Sequence, residues 1–176
     1  MDAPAHAPDP DAEAERLRRA RRGDGAAFEA LYHDHARAVH ALAFRLTGNA
    51  AEAEDIVQET FLRMFGFLSG LRENTPLRPW LKRVAANLAI DRLRRQQHPG
   101  TDMALAALAD TASASPADAA DADTLLRRLP PLARTVVWLH EMEGWSHEDL
   151  GRRFGRTASW SKSLMSRSLA RLRQDL

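Results

Sequence analysis

The chain of 176 residues is 44% hydrophobic but only 6% aromatic and 28% charged, which suits one or two small modules and argues against a single large core. It contains no cysteine, so disulfides, iron–sulfur clusters, thiol nucleophiles and cysteine zinc sites are excluded, in keeping with a reducing compartment. Its formal net charge of +1 conceals a sorted pattern: residues 1–75 sum to −4, residues 76–99 to +5, residues 100–124 to −5 and residues 125–176 to +5. Two basic blocks divided by an acidic spacer point to two nucleic-acid contacts on one chain.

Residues 1–15, rich in Ala, Pro and Asp, lack the basic start and apolar run of a signal peptide and are expected as a disordered tail. No later window approaches membrane-spanning length, so a cytoplasmic protein without membrane insertion is expected. From Ala26 to Leu46, Phe28, Leu31, Val39, Leu42, Ala43 and Leu46 follow a helical period, and Gly48 stops the run. Asn49 with Glu52 caps a second helix to about Leu68, whose apolar residues are Ile56, Val57, Phe61, Leu62 and Phe65. Gly66, Gly70, Asn74, Pro76 and Pro79 punctuate a loop, after which Trp80 opens a third helix to about Gln97. That helix turns Trp80, Leu81, Val84, Ala85, Leu88 and Leu93 inward and Lys82, Arg83, Asn87, Asp91, Arg94 and Arg95 largely outward.

Residues 98–123 read as a flexible acidic linker with at most a transient helix near Met103–Leu108. Fully extended, it reaches roughly 85 to 95 Å, enough to set two modules two DNA turns apart. A second domain, residues 124–176, opens with Leu125, Leu126 and Leu129 before Pro130 and Pro131. An apolar helix over Leu132–Met142 follows, and then a helix-turn-helix. In that motif, Ser146 and Asp149 form a capping-box-like start, Leu150 and Phe154 share an apolar face, and Gly155 supplies a left-handed stop. Thr157 or Ser159 caps the last helix, in which Met165, Leu169 and Leu172 recur at helical spacing and Lys162, Ser163, Ser166, Arg167 and Arg171 take the other side. Such a face suits phosphates and base edges in a major groove. With no strand alternation anywhere, the fold is expected to be all-α, two small helical domains joined by a linker.

Three blocks, Ala53 to Phe65, Trp80 to Arg95, and Leu129-Pro-Pro with the terminal helix-turn-helix, together resemble an extracytoplasmic-function sigma factor of bacterial RNA polymerase. The resemblance implies sigma domain two over residues 16–97 and sigma domain four over residues 124–176. Core RNA polymerase and promoter DNA would be the partners, and an anti-sigma factor would hold the protein inactive. It further implies that Asp55, Gln58 and Glu59 dock on the polymerase clamp, with Phe61 and Phe65 either beside them or in the chain's own core. Trp80, Lys82, Arg83, Asn87, Asp91, Arg92, Arg94 and Arg95 would meet the minus-ten DNA. Of these, Asn87 and Asp91 are equally placed to bond each other, and Trp80 either packs or stacks on a base.

Arg156, Ser159, Trp160, Lys162, Ser163, Ser166, Arg167 and Arg171 would meet the minus-thirty-five element. This sequence departs from the family pattern at three places. Trp160 stands where a small or hydroxylated residue is common, and it either contacts thymine methyls or packs on the domain. Ser161 replaces a core Val, and Leu164 replaces an Arg, removing a guanine reader worth about 1 to 3 kcal/mol.

His33, His35 and His40 lie close in sequence, but positions 33 and 35 point to different helix faces, so surface histidines are expected rather than a metal site. No phosphate loop, catalytic triad or paired-carboxylate motif emerges, so no enzyme activity and no cofactor are expected. A helix-turn-helix regulator acting without polymerase is the rival reading.

Overall fold

A computed structural model of the chain describes residues 9–72, 75–96 and 122–174. Its regular elements are all helical: α1 (Pro10–Arg21), α2 (Gly25–Thr47), α3 (Ala50–Phe67), a 3-10 turn at Leu68–Gly70, α4 (Leu77–Gln96), α5 (Ala122–Arg127), α6 (Pro131–Glu141), α7 (His147–Phe154) and α8 (Ala158–Gln174). The expected linker, with its transient helix, lies outside the described residues apart from its last two.

Most helix ends follow from local chemistry. Asp24 accepts from the Ala27 amide at 3.1 Å, Asn49 from Glu52 at 3.1 Å, Ser146 from Asp149 at 3.0 Å and Thr157 from Trp160 at 3.1 Å, each satisfying an amide that has no partner inside its helix. Thr157, not Ser159, therefore caps α8. Gly48 and Gly155 close α2 and α7 at φ of 72° and 67°, as the sequence indicates.

Two starts differ from expectation. Residues 10–15, assigned to a disordered tail, are the first turns of α1. Asp9 caps it, Pro10 sits where a missing amide costs nothing, and acidic Asp11 and Glu13 precede basic Arg18, Arg19 and Arg21 in the sense the helix dipole favours. Helix α4 begins at Leu77 rather than Trp80, because Pro79 falls within the first turn, where a proline removes no intrahelical bond. The Leu77 amide donates instead to Glu13 Oε1 at 3.3 Å, so α1 caps α4 across the core.

Helix α2 is the central strut, packing on α1, α3, α4 and α6. Leu31, Leu42, Ala43, Ile56, Met64, Leu81, Ala85 and Ile90 fill the first domain, while Leu129, Val136, Leu139, Leu150 and Leu164 fill the second. The two groups join in one continuous apolar cluster, so the modules lie against each other. His35 also departs from its expected surface position: it is 0% exposed, and its Nε2–H donates to Glu13 Oε2 at 2.8 Å. Burial lowers the His35 pKa below its ordinary value despite the opposing pull of Glu13. Its Nδ1 has no hydrogen-bond partner among the described residues, so a second ring N–H would go unsatisfied there.

Candidate nucleic-acid interface

Three helix faces carry the residues singled out in the sequence. On α3, the polar spacing i, i+3, i+4 sets Asp55, Gln58 and Glu59 on one side. Asp55 and Gln58 are exposed, and Glu59 is partly buried, bonded to Arg63 at 2.7 Å and lying 4.0 Å from Arg92. Phe61 belongs to the core, 4% exposed and tilted on Tyr32 at 4.7 Å. Phe65 is on the surface, 63% exposed, with one edge on Phe28. Leu62, one of the apolar residues of this helix, is 70% exposed. It stands four residues after Gln58 and seven after Asp55, so the polar face carries an apolar ridge of Leu62 and Phe65. An apolar residue at i+4 of a polar stripe was the signal for it.

Helix α4 offers a mixed face. Trp80 is half-buried with its ring stacked 6.3 Å from Phe67, so it packs at the helix start. Arg92 turns toward α3 and Glu59, whereas Arg94 and Arg95 are exposed near the helix end. The outward set from Lys82 to Arg94 does not face solvent alone, because the second domain lies on it. Lys82 Nζ is 2.5 Å from Glu143, Arg83 sits 4.3 Å over the Trp145 ring and 3.9 Å from Asp149, and Arg153 donates to Asp91 at 2.8 Å. Arg153 also donates to the Asn87 carbonyl at 3.3 Å, and Arg94 donates to the Arg153 carbonyl at 3.2 Å. Asn87 and Asp91, expected to bond each other or DNA, both meet Arg153.

The third face is on α8, held by a tight corner. A Cβ on Gly151 would come within 2.6 Å of the Thr157 carbonyl carbon and oxygen, so only glycine lets α7 cross the start of α8 this closely. Ser146 donates from Oγ to Asp149 at 2.9 Å, and this bond, with the Arg152 guanidinium, holds the Asp149 carboxyl below its ordinary pKa. Arg156, Ser159, Lys162, Ser163, Ser166 and Arg167 are exposed together on the outer side, and Arg171 is partly buried at its end.

The three departures from the family pattern resolve into packing. Trp160 is half-buried, with its ring 5.4 Å from Phe154. Ser161 is 0% exposed and hydrogen-bonded to His147 Nδ1 at 3.0 Å. The His147 ring stacks 4.1 Å from His140, and burial followed by that neighbour's charge lowers the His147 pKa. Leu164 is 0% exposed, so its position points into the domain and its replacement of an arginine removes no reader from the outer face.

Comparison with known proteins matches residues 31–98 to sigma-70 region 2 and residues 120–172 to sigma-70 region 4. The chain is 36% identical over 168 residues to the RNA polymerase sigma factor CarQ of Myxococcus xanthus, covering 91% of this chain and 95% of that one. It is 33% identical over 152 residues to the ECF RNA polymerase sigma factor SigM of Mycobacterium tuberculosis, covering 85% and 77%. Its fold is similar to that of CnrH, solved with the cytosolic domain of CnrY, at a TM-score of 0.51 and 22% identity over 93% of this chain and 96% of that one. A second likeness is to RpoE of Bartonella quintana, solved with the anti-sigma factor NepR, at a TM-score of 0.50 and 23% identity over 80% and 90%. Two helical regions in the sigma order, the second ending in a helix-turn-helix, and full-length kinship to such proteins establish that this chain belongs to the extracytoplasmic-function family of RNA polymerase sigma factors.

Proposed function

We propose that, within its function as a sigma factor binding core RNA polymerase and directing promoter-specific initiation, the chain divides the work among the three faces. The exposed stripe of Asp55, Gln58, Leu62 and Phe65 docks on the polymerase, carboxylate and amide fixing the register while the apolar ridge is desolvated. Phe61 supports that stripe from beneath, and Glu59 steadies it through Arg63 and Arg92. The α4 face, with Lys82, Arg83, Asn87, Asp91, Arg94 and Arg95, contacts minus-ten DNA. Unstacking bases costs a few kcal/mol each, which phosphate contacts and a pocket for the extruded base offset. The α8 face reads the minus-thirty-five element from the major groove through Arg156, Ser159, Lys162, Ser163, Ser166 and Arg167, while Trp160 anchors the helix to its domain.

In this reading residues 16–97 and 124–176 are the working domains and residues 98–123 the strap between them. The protein acts in the cytoplasm, carries out no chemistry of its own and is held in check by an anti-sigma factor. None of the helices in the described residues is long and apolar enough to cross a membrane.

The observation that carries the proposal is that the cationic face of α8 and the acidic and apolar stripe of α3 are both exposed, on different domains of a chain related to sigma factors over nearly its whole length. A regulator working through the helix-turn-helix alone would leave the match over residues 31–98 without a use. Pull-down with core polymerase and footprinting on duplex DNA test the assignment: α3 variants are expected to lose only the first, and α8 variants only the second.

A further inference from the structure

A pair of imidazoles joins the end of α6 to the start of α7. His140, in the last turn of α6, and His147, the first residue of α7, stack with ring centroids 4.1 Å and planes 18° apart. His140 Nδ1–H donates to the Trp145 carbonyl at 2.7 Å, because a carbonyl only accepts. His147 Nδ1 lies 3.0 Å from the Oγ of Ser161, a buried hydroxyl set between Trp160 and Lys162 of the reading helix. Ser161, one of the departures from the family pattern, thus ties the first residue of α7 to α8. The pair connects all three helices of the domain beside the corner that Gly151 makes tight.

A positive charge on His147 is opposed from several directions. His140 lies at the end of α6 where the helix dipole favours a cation, whereas His147 lies at the positive end of α7. Lys162 of α8 adds a like charge and Glu141 of α6 an opposite one. The other charged groups of α4 and of the second domain around this corner are engaged elsewhere: Lys82 with Glu143, Arg83 and Arg152 with Asp149, and Asp91 with Arg153, while Glu148 is exposed. Burial, then the His140 charge and then Lys162, hold the His147 pKa below its ordinary 6.5. A lowered value means that separating the rings takes up a proton, so the stack is fully kept above pH 6.5 and is opposed as pH falls below it.

We propose that the His140–His147 pair, bonded to α8 through Ser161, is a proton-sensitive joint of the helix-turn-helix: acid parts α7 from α6, displaces the start of α8 and weakens its hold on duplex DNA. This rests on the assignment of α8 to the minus-thirty-five element. The sign is distinctive, since protons otherwise strengthen the attraction of a cationic face for phosphates.

The test uses holoenzyme assembled from the full chain and core RNA polymerase on a duplex genomic fragment at which it initiates. Protection of the upstream element is measured at about pH 7.5 and about pH 5.5, on either side of the ordinary histidine value. Wild type is expected to lose about fivefold or more in affinity at the acid value, the low end of coupling between two binding events. His147→Phe with Ser161→Val keeps a ring against His140 and makes both partners of the buried bond apolar, so the loss should vanish. His140→Gln leaves the His147–Ser161 bond in place but removes the neighbouring charge, and should shrink the loss and move it to higher pH. Circular dichroism at neutral pH checks both folds. Amide hydrogen exchange of the free chain reads the joint without DNA: in acid, peptides covering residues 146–161 should exchange faster in wild type than in the double variant, with no difference at neutral pH.

The same acid loss in wild type and both variants, or tighter binding in acid for all three, overturns the proposal, as does equal exchange at both pH values. If Arg167→Ala leaves the upstream protection unchanged while the exchange difference stands, the joint holds and the assignment of α8 to DNA is what fails.

Discussion

At the residue scale the family resemblance and the physics separate cleanly at α3. Asp55, Gln58, Leu62 and Phe65 share an exposed face, whereas Phe61, two positions from Glu59, is core. Asp55→Ala and Gln58→Ala are each expected to weaken core-polymerase binding by roughly fivefold to tenfold, about 1 kcal/mol, and Leu62→Asp by at least as much, with duplex binding intact. Titration by fluorescence anisotropy reads the affinity. Arg167→Ala should do the reverse, weakening promoter footprints and lowering the salt slope of DNA binding by about one if it meets a phosphate, or costing about 1 to 3 kcal/mol at one base pair if it meets a guanine. Gly151→Ala forces α7 off the start of α8, because the methyl meets backbone that has no rotamer to yield. A loss of about 1 to 3 kcal/mol in urea unfolding is expected, together with loss of duplex binding.

At the element scale the helices were legible where period and cap agree. Asn49, Ser146, Gly48 and Gly155 all act as the sequence suggests, since capping is a contact between neighbours in the chain. Long-range partners were not legible. The start of α4 is capped by Glu13 of α1, and His35 is buried on that same carboxylate, neither of which any spacing reveals. Residues 10–15 passed for a tail because Ala, Pro and Asp suit both a low-complexity segment and a helix start. Likewise, Leu164 looked like a loss from a reading face until the rotation of α8 about its axis was fixed by packing on α6 and α7.

Two histidines, His35 buried and His147 partly buried, carry a prediction for these elements. Both His35 and His147 have pKa values lowered in the fold, so between those values and the ordinary one the unfolded chain binds more protons than the folded chain. Stability is therefore full above about pH 6.5 and is lost as pH falls below it. Urea midpoints should drop between pH 7.5 and pH 5.5, and His35→Gln should flatten that dependence.

At the scale of the whole molecule, the charge sorting of the sequence foretold two basic modules but not their embrace. Acidic Glu143 and Asp149 sit in a domain that is basic overall, and only folding brings them onto Lys82 and Arg83. Two cationic helical domains on one chain, one bearing an exposed acidic and apolar stripe, fit a part of a larger initiation complex. The most direct measurement is transcription by purified core RNA polymerase on genomic fragments, with and without the chain. The account predicts discrete start sites that appear only when the chain is added and vanish with Asp55→Ala and Gln58→Ala combined. Tight, footprinted duplex binding by the chain alone, with no new start site under any core-enzyme condition, would contradict it.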